Sequence, residues 1–117
     1  TPGTKIKMVD HAEAVAAMNK KYGNLYVEDV ISKSVYKGMD TDNHQATVMN
    51  ILVAHESMDE KTAYNIVKTA FERRDDLIAS HKEATNFKLE NQRQSATPIP
   101  YHPGAARFFA EKGVKLN

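Results

Sequence analysis

Hydrophobic residues recur at helical spacing in three stretches of the chain and crowd into one short continuous run in a fourth. Ala14, Val15, Met18 and Tyr22 return every three or four positions, which predicts a helix. Asp10 stands ahead of it as a cap, Glu13 follows in capping-box position, and Gly23 ends it. Before it, Lys5-Ile6-Lys7-Met8-Val9 begins with alternation and predicts a short strand. Ala63, Tyr64, Val67, Ala70, Phe71, Leu77 and Ile78 predict the longest helix, opened by a capping box at Ser57-Met58-Asp59-Glu60. That helix is bent or broken around Arg73-Arg74-Asp75-Asp76, a charge run that reads as a solvated face. Ala79 to Ala84 starts a second helical piece, and Phe87 and Leu89 anchor a short element after it.

The β-prone residues are distributed less clearly. Leu25 to Val35 reads as an irregular segment followed by a strand near Val30 to Tyr36, because Glu28 and Asp29 interrupt Tyr26, Val27, Val30 and Ile31. Lys37 to Gln45 is polar, contains Gly38 and reads as a loop. Ala46 to Ala54 is nearly unbroken apolar sequence with only Asn50 inside it, which predicts an interior strand covered on both faces. Finding that run on the open face of a finished sheet would count against the reading developed below.

The third helical stretch is the tail. Pro98 and Pro100 hold their neighbourhood extended. Pro103 suits the first turn of a helix, where its missing N–H is not needed. Ala105, Ala106, Phe108 and Phe109 supply an apolar face, Gly113 a stop, and Val114 an apolar clamp beyond it.

Bulk properties narrow the function. The chain has 117 residues, enough for one domain or a piece of a larger one, and is 41% hydrophobic. Its 16 basic and 15 acidic residues leave a formal charge of +1, so bulk electrostatics gives no case for nucleic acid or an acidic membrane. There is no cysteine, which removes disulfides, thiolate catalysis and cysteine-ligated zinc. No apolar run is long enough to span a bilayer, and no signal peptide opens the sequence. Thr1 in place of a methionine leads to the expectation that something upstream has been removed.

Candidate chemistry is sparse. Asp40-Thr41-Asp42-Asn43-His44 begins like a calcium loop, but His44 occupies the fifth position, Gln45 replaces the turn glycine, and no closing glutamate follows. It reads as a solvated loop, and no metal or other cofactor is expected. The five histidines, His11, His44, His55, His81 and His102, include no zinc-protease spacing. No serine lies in a nucleophile elbow, and neither a phosphate loop nor a dinucleotide fingerprint occurs. The chain is therefore expected not to be an enzyme. Tyr36-Lys37-Gly38-Met39-Asp40, a glycine-containing loop just before the apolar run, remains as a cleft or hinge candidate.

Taken in order, several features resemble one family. They are the strand and helix of Ile6 to Tyr22, the segment Val35-Tyr36-Lys37-Gly38, the run Thr47 to Ala54 and the helix opening Met58-Asp59-Glu60-Lys61-Thr62-Ala63-Tyr64-Asn65-Ile66-Val67. The tail Pro98-Ile99-Pro100-Tyr101-His102-Pro103-Gly104-Ala105-Ala106-Arg107 completes the set and is its most specific part. The sequence is similar to the carboxy-terminal part of TAXI-family solute receptors of TRAP transporters. This resemblance implies an α/β chain, the carboxy-terminal portion of a type II periplasmic-binding-protein fold, helix-rich with a few strands. It implies that residues 1–35 end the second lobe, 36–46 form the hinge or crossing loop, and 47–117 rebuild the first lobe. It also implies ligand contacts from Tyr36, Gly38 and Asp40, and a structural motif of Pro100, His102, Pro103, Gly104 and Arg107. The implied partners are a small carboxylate or amino acid and the TRAP permease subunits, and the implied compartment is the periplasm. A piece of such a receptor would expose its interior strand and self-associate. The competing expectation is a free-standing helical module that binds a protein partner.

Overall fold

In the computed structural model, which describes residues 7–116, the first regular element is helix α1, Ala12–Tyr22. His11 occupies its N-cap position, one residue later than expected, yet Asp10 still serves the helix start: its Oδ1 accepts from the Ala12 N–H at 3.0 Å. Gly23, at φ 85°, ends the helix as expected. The strand expected at Lys5–Val9 lies partly outside the described residues, and Lys7–Val9 carry no strand.

Two strands follow, β1 at Val27–Ile31 and β2 at Asn43–Thr47. They pair antiparallel, with Val27 opposite Thr47 and Ile31 opposite Asn43. Both differ from the sequence expectation. β1 begins before the expected Val30, and β2 begins inside the expected loop and stops where the best strand was expected to start. The cause is pairing. β1 passes through Glu28 and Asp29 because both are exposed, so their charges meet water and not a core. Beyond Thr47 no described segment lies alongside to accept a ladder, so Val48–Ala54 has no strand structure and lies in no sheet. Instead of being covered on both faces, Ile51, Leu52 and Val53 are 48%, 72% and 62% exposed.

The chain divides into two units, one ending at Met49 and the other beginning at Asn50. In the first, Val15 of α1 is the buried apolar residue among the described residues, and polar bonds do much of the remaining joining. Asn19 clamps the entry to β1: its Nδ2 donates to Tyr26 O at 2.8 Å and its Oδ1 accepts from Tyr26 N at 3.2 Å.

The second unit contains α2 at Glu60–Glu72, α3 at Arg74–Ser80 and α4 at Pro103–Glu111. The cap of α2 is Asp59, whose carboxylate accepts from Thr62 N at 2.9 Å; the earlier candidate Ser57 bonds His55 instead. The expected break comes at Arg73. After α3, where a second helical piece was expected from Ala79 to Ala84, the chain takes short 3-10 turns at Lys82–Asn86, Leu89–Asn91 and Gln94–Ala96. Arg74 holds the first of these, donating to Phe87 O at 2.7 Å and Thr85 O at 2.6 Å.

The core of this unit is aromatic. Phe108 and Phe109 of α4 are 2% and 3% exposed, and Tyr64, Phe71 and Tyr101 pack edge-on or stacked around them. The exit from α4 follows the expected pattern closely. Gly113, at φ 74°, turns left-handed; its N–H donates to Ala110 O at 3.0 Å and the Val114 N–H to Phe109 O at 2.9 Å. Those two bonds form a Schellman motif, and Val114 folds back on the aromatic cluster. The described residues are thus helix-rich with a single two-stranded sheet, which agrees with the α/β expectation in its coarser form.

Candidate functional site

The tail motif is a joint between α2 and α4. His102 caps α4, its Nδ1 accepting from the Gly104 N–H at 3.2 Å. That role requires the proton on Nε2, which donates to Met58 O at 2.9 Å just before α2 begins. One imidazole thus ties both helix entries together. Pro103 occupies the first turn, where no N–H is needed. Gly104 lies so close to α2 that a Cβ there would stand 2.1 Å from Glu60 O and 2.8 Å from Tyr64 N. Arg107, one turn on, pairs with Glu60 at 2.7 Å and covers the Tyr64 ring with its guanidinium 4.5 Å from the centroid. Tyr64 donates to Glu111 at 2.6 Å, and this bond holds the phenol above its ordinary pKa. Pro100 stands in the extended approach, where the Gln94 side chain spans the backbone. Its Nε2 donates to Thr97 O and Ile99 O, and its Oε1 accepts from Tyr101 N.

Beside this joint runs a groove of about 550 Å³, contained within the second unit. Ala63, Ile66 and Val67 of α2 and Phe109 of α4 line one side, and Ile51 to Ala54 line another. Its surface is mainly apolar, so its chemistry is that of a packing surface.

The loop candidates lie in the first unit. Tyr36 is 58% exposed in a turn closed by Met39 N donating to Tyr36 O at 3.3 Å. Gly38 has φ 96°, a conformation that favours glycine, and Asp40 is exposed. Asp40, Asp42 and His44 form no cluster: Asp42 accepts from Lys33 N at 2.8 Å, while His44 turns to Glu28. Among the described residues no group of three or more histidine or carboxylate side chains could hold a metal ion.

His44 and Asp10 are the electrostatic centre of this unit. The Glu28 carboxylate, 2.5 Å from His44 Nδ1, raises the imidazole pKa, with Asp10 and Asp42 adding to the effect. Asp10 is lowered by the backbone N–H groups of Ala12 and His44 that it accepts. Gln45 completes the network, accepting from His11 Nδ1 at 3.1 Å and donating to Val9 O at 2.9 Å and to buried Asn43. These are binding contacts of the chain with itself, and no nucleophile is among them.

The sequence model of the NMT1-like family matches residues 2–113, nearly the entire chain. The chain belongs to the NMT1-like family. Membership brings a periplasmic-binding-type fold and a solute-binding role with a small-molecule ligand. No helix among the described residues is long and apolar enough to cross a membrane, and solute receptors of this kind typically work outside the cytoplasm.

Several residues that shape this family member escaped sequence reasoning. Glu60 and Tyr64 meet Arg107 only through the crossing of two helices distant in sequence, and Tyr64 reaches Glu111 across the same crossing. Gln94 reads as one polar residue among several, with no local signal that its amide organises the approach to the tail. Asp59 is the exception, because an aspartate three residues before Thr62 is itself a cap signal.

Proposed function

We propose that this chain is the carboxy-terminal part of a TAXI-type receptor that captures solute for a TRAP secondary transporter. The observation that carries the proposal is the NMT1-like match over residues 2–113. The resemblance of the tail run supports the finer assignment, and several residues it singles out have a physical task. His102 joins two helix starts, Gly104 permits their close approach, and Arg107 fastens the next turn.

On this reading the fold is type II, with two α/β lobes. Residues 1–35 end the second lobe, 36–46 cross between lobes and 47–117 complete the first. The ligand is a small carboxylate or amino acid, held without chemical change, and the protein is not an enzyme. It works in the periplasm and hands solute to the membrane permease. Tyr36 and Asp40 face the cleft between the lobes, the phenol donating to a carboxylate and the aspartate accepting from an amine, while Gly38 supplies the left-handed turn between them. Exposed side chains on a glycine-bearing loop are suited to such contacts.

Calorimetry of the full-length receptor containing this segment, titrated with a panel of dicarboxylates and amino acids, tests the proposal. One saturable site for a member of the panel is expected. Silence across the panel contradicts it.

A further inference from the structure

We infer that the Glu28–His44 pair is a proton-operated brace on the loop between β1 and β2, so that the loop's hold on solute weakens as pH rises. The inference rests on the proposed role of that loop in solute contact. His44 stands one residue into β2, opposite Val30 and beside the rung of Ile31 and Asn43 from which the loop leaves. Glu28 lies opposite Ala46, so Glu28 and His44 are diagonal neighbours on one face of the ladder. Their side chains meet at 2.5 Å. The backbone of His44 is tied to the start of α1: its N–H donates to Asp10 Oδ2 at 3.1 Å, and its C=O accepts from His11 N at 2.9 Å. One residue therefore fastens both stems of the loop and the helix entry beside them. A second tie closes the loop, Lys33 N donating to Asp42 Oδ1 at 2.8 Å. Tyr36, Gly38 and Asp40 lie between its ends.

The surrounding charges give the direction. Glu28 from β1, Asp10 from the approach to α1 and Asp42 from the loop all favour the imidazolium, Glu28 most. His11 is the other ionisable ring at this junction, and its Nδ1 meets the Gln45 amide oxygen instead. Protonated His44 is thus the tight state of the brace. A neutral imidazole can keep the hydrogen bond in one tautomer but gives up its charge, so the brace slackens and does not break. The stabilisation is complete below the ordinary imidazole pKa and is lost as pH rises through the folded value. A loop whose stems open more often is less preorganised, and the cost of ordering it subtracts from affinity.

The test uses the full-length receptor containing this segment, with Glu28→Gln and His44→Gln beside the parent. Amide exchange in β1 and β2, corrected for the intrinsic effect of pH, is expected to lose protection by about two- to fivefold as pH rises through the His44 titration, the range of an exposed ion pair. Both variants should flatten that change, and Glu28→Gln should lower the titration midpoint of the His44 ring followed by NMR. Calorimetry with the panel of dicarboxylates and amino acids is expected to show Kd rising by a similar factor over the same range in the parent alone. Protection that ignores pH in the parent overturns the inference, and this measurement needs neither variant to fold. So does a pH dependence that survives in His44→Gln, or a Kd that stays constant while protection falls. A silent panel would instead overturn the solute reading and with it the link to affinity, and the exchange data would still decide whether the brace exists.

Discussion

Gly104→Ala probes the tightest contact in the second unit. The added Cβ would lie 2.1 Å from Glu60 O and 2.8 Å from Tyr64 N. These two atoms pair in the first turn of α2, so neither can rotate aside without breaking that turn. Carbon and carbonyl oxygen rest at roughly 3.3 Å or more, so the helices would have to part by about 1 Å. Overpacking of this kind costs about 1–3 kcal/mol. Alanine's helix preference returns at most about 1 kcal/mol in a helix interior, and less in the first turn. The expected net loss is about 2 kcal/mol, or a Tm lower by about 10 °C for a unit of this size. Urea and thermal melts followed at the helical band would measure it, with Ala106→Gly as a control that removes helix preference without a clash. A Gly104→Ala protein as stable as the parent, or more stable, would refute the close approach and the role given to the tail.

Other outcomes follow from the same geometry. His102→Ala removes both the cap of α4 and the bond to Met58 O and is expected to lose about 1–2 kcal/mol in a urea melt; His102→Asn, which can cap but cannot reach Met58, should recover part of it. Phe108→Ala empties the centre of the aromatic cluster and is expected to cost about 3–5 kcal/mol, enough to leave the second unit largely unfolded on calorimetric heating. The first unit has opposite pH dependences at its two ends. Asp10, lowered by backbone donors, contributes stability that is present above the ordinary carboxylate pKa and is lost as pH falls through its folded value. His44, raised by Glu28, contributes stability that is complete below the ordinary imidazole pKa and is lost as pH rises through its folded value. Chemical shifts of residues in β1 and β2 followed through urea melts should therefore show greatest stability between roughly pH 4 and 6.5, with His44→Gln flattening the alkaline side.

What could be read from sequence was what short-range backbone chemistry decides. Pro103, Gly113 and Val114 announced the start, stop and clamp of α4 because each acts within one turn of itself. Gly23 ended α1 for the same reason, and the charge run at Arg73–Asp76 marked the break between α2 and α3. The strands were harder because a strand is defined by its neighbour. Residues 46–54 have the composition of an interior strand, yet past Thr47 they pair with no strand among the described residues, and Ile51, Leu52 and Val53 stay exposed. The tail joint was legible as a pattern and not as a mechanism. That His102 reaches Met58, and that Gly104 lies against Glu60, depends on how α2 and α4 cross, and no local signal encodes it.

Under the proposed function, solute contact falls to the loop at Tyr36 and Asp40 and only architecture to the tail. In the full-length receptor, Tyr36→Phe is expected to weaken binding about tenfold or more, the loss of one hydrogen bond to a charged ligand, with an unchanged Tm. Gly104→Ala should lower Tm and leave the affinity of the folded protein intact. Unaltered affinity in Tyr36→Phe, or a loss of affinity confined to the tail variant, would contradict that division of labour.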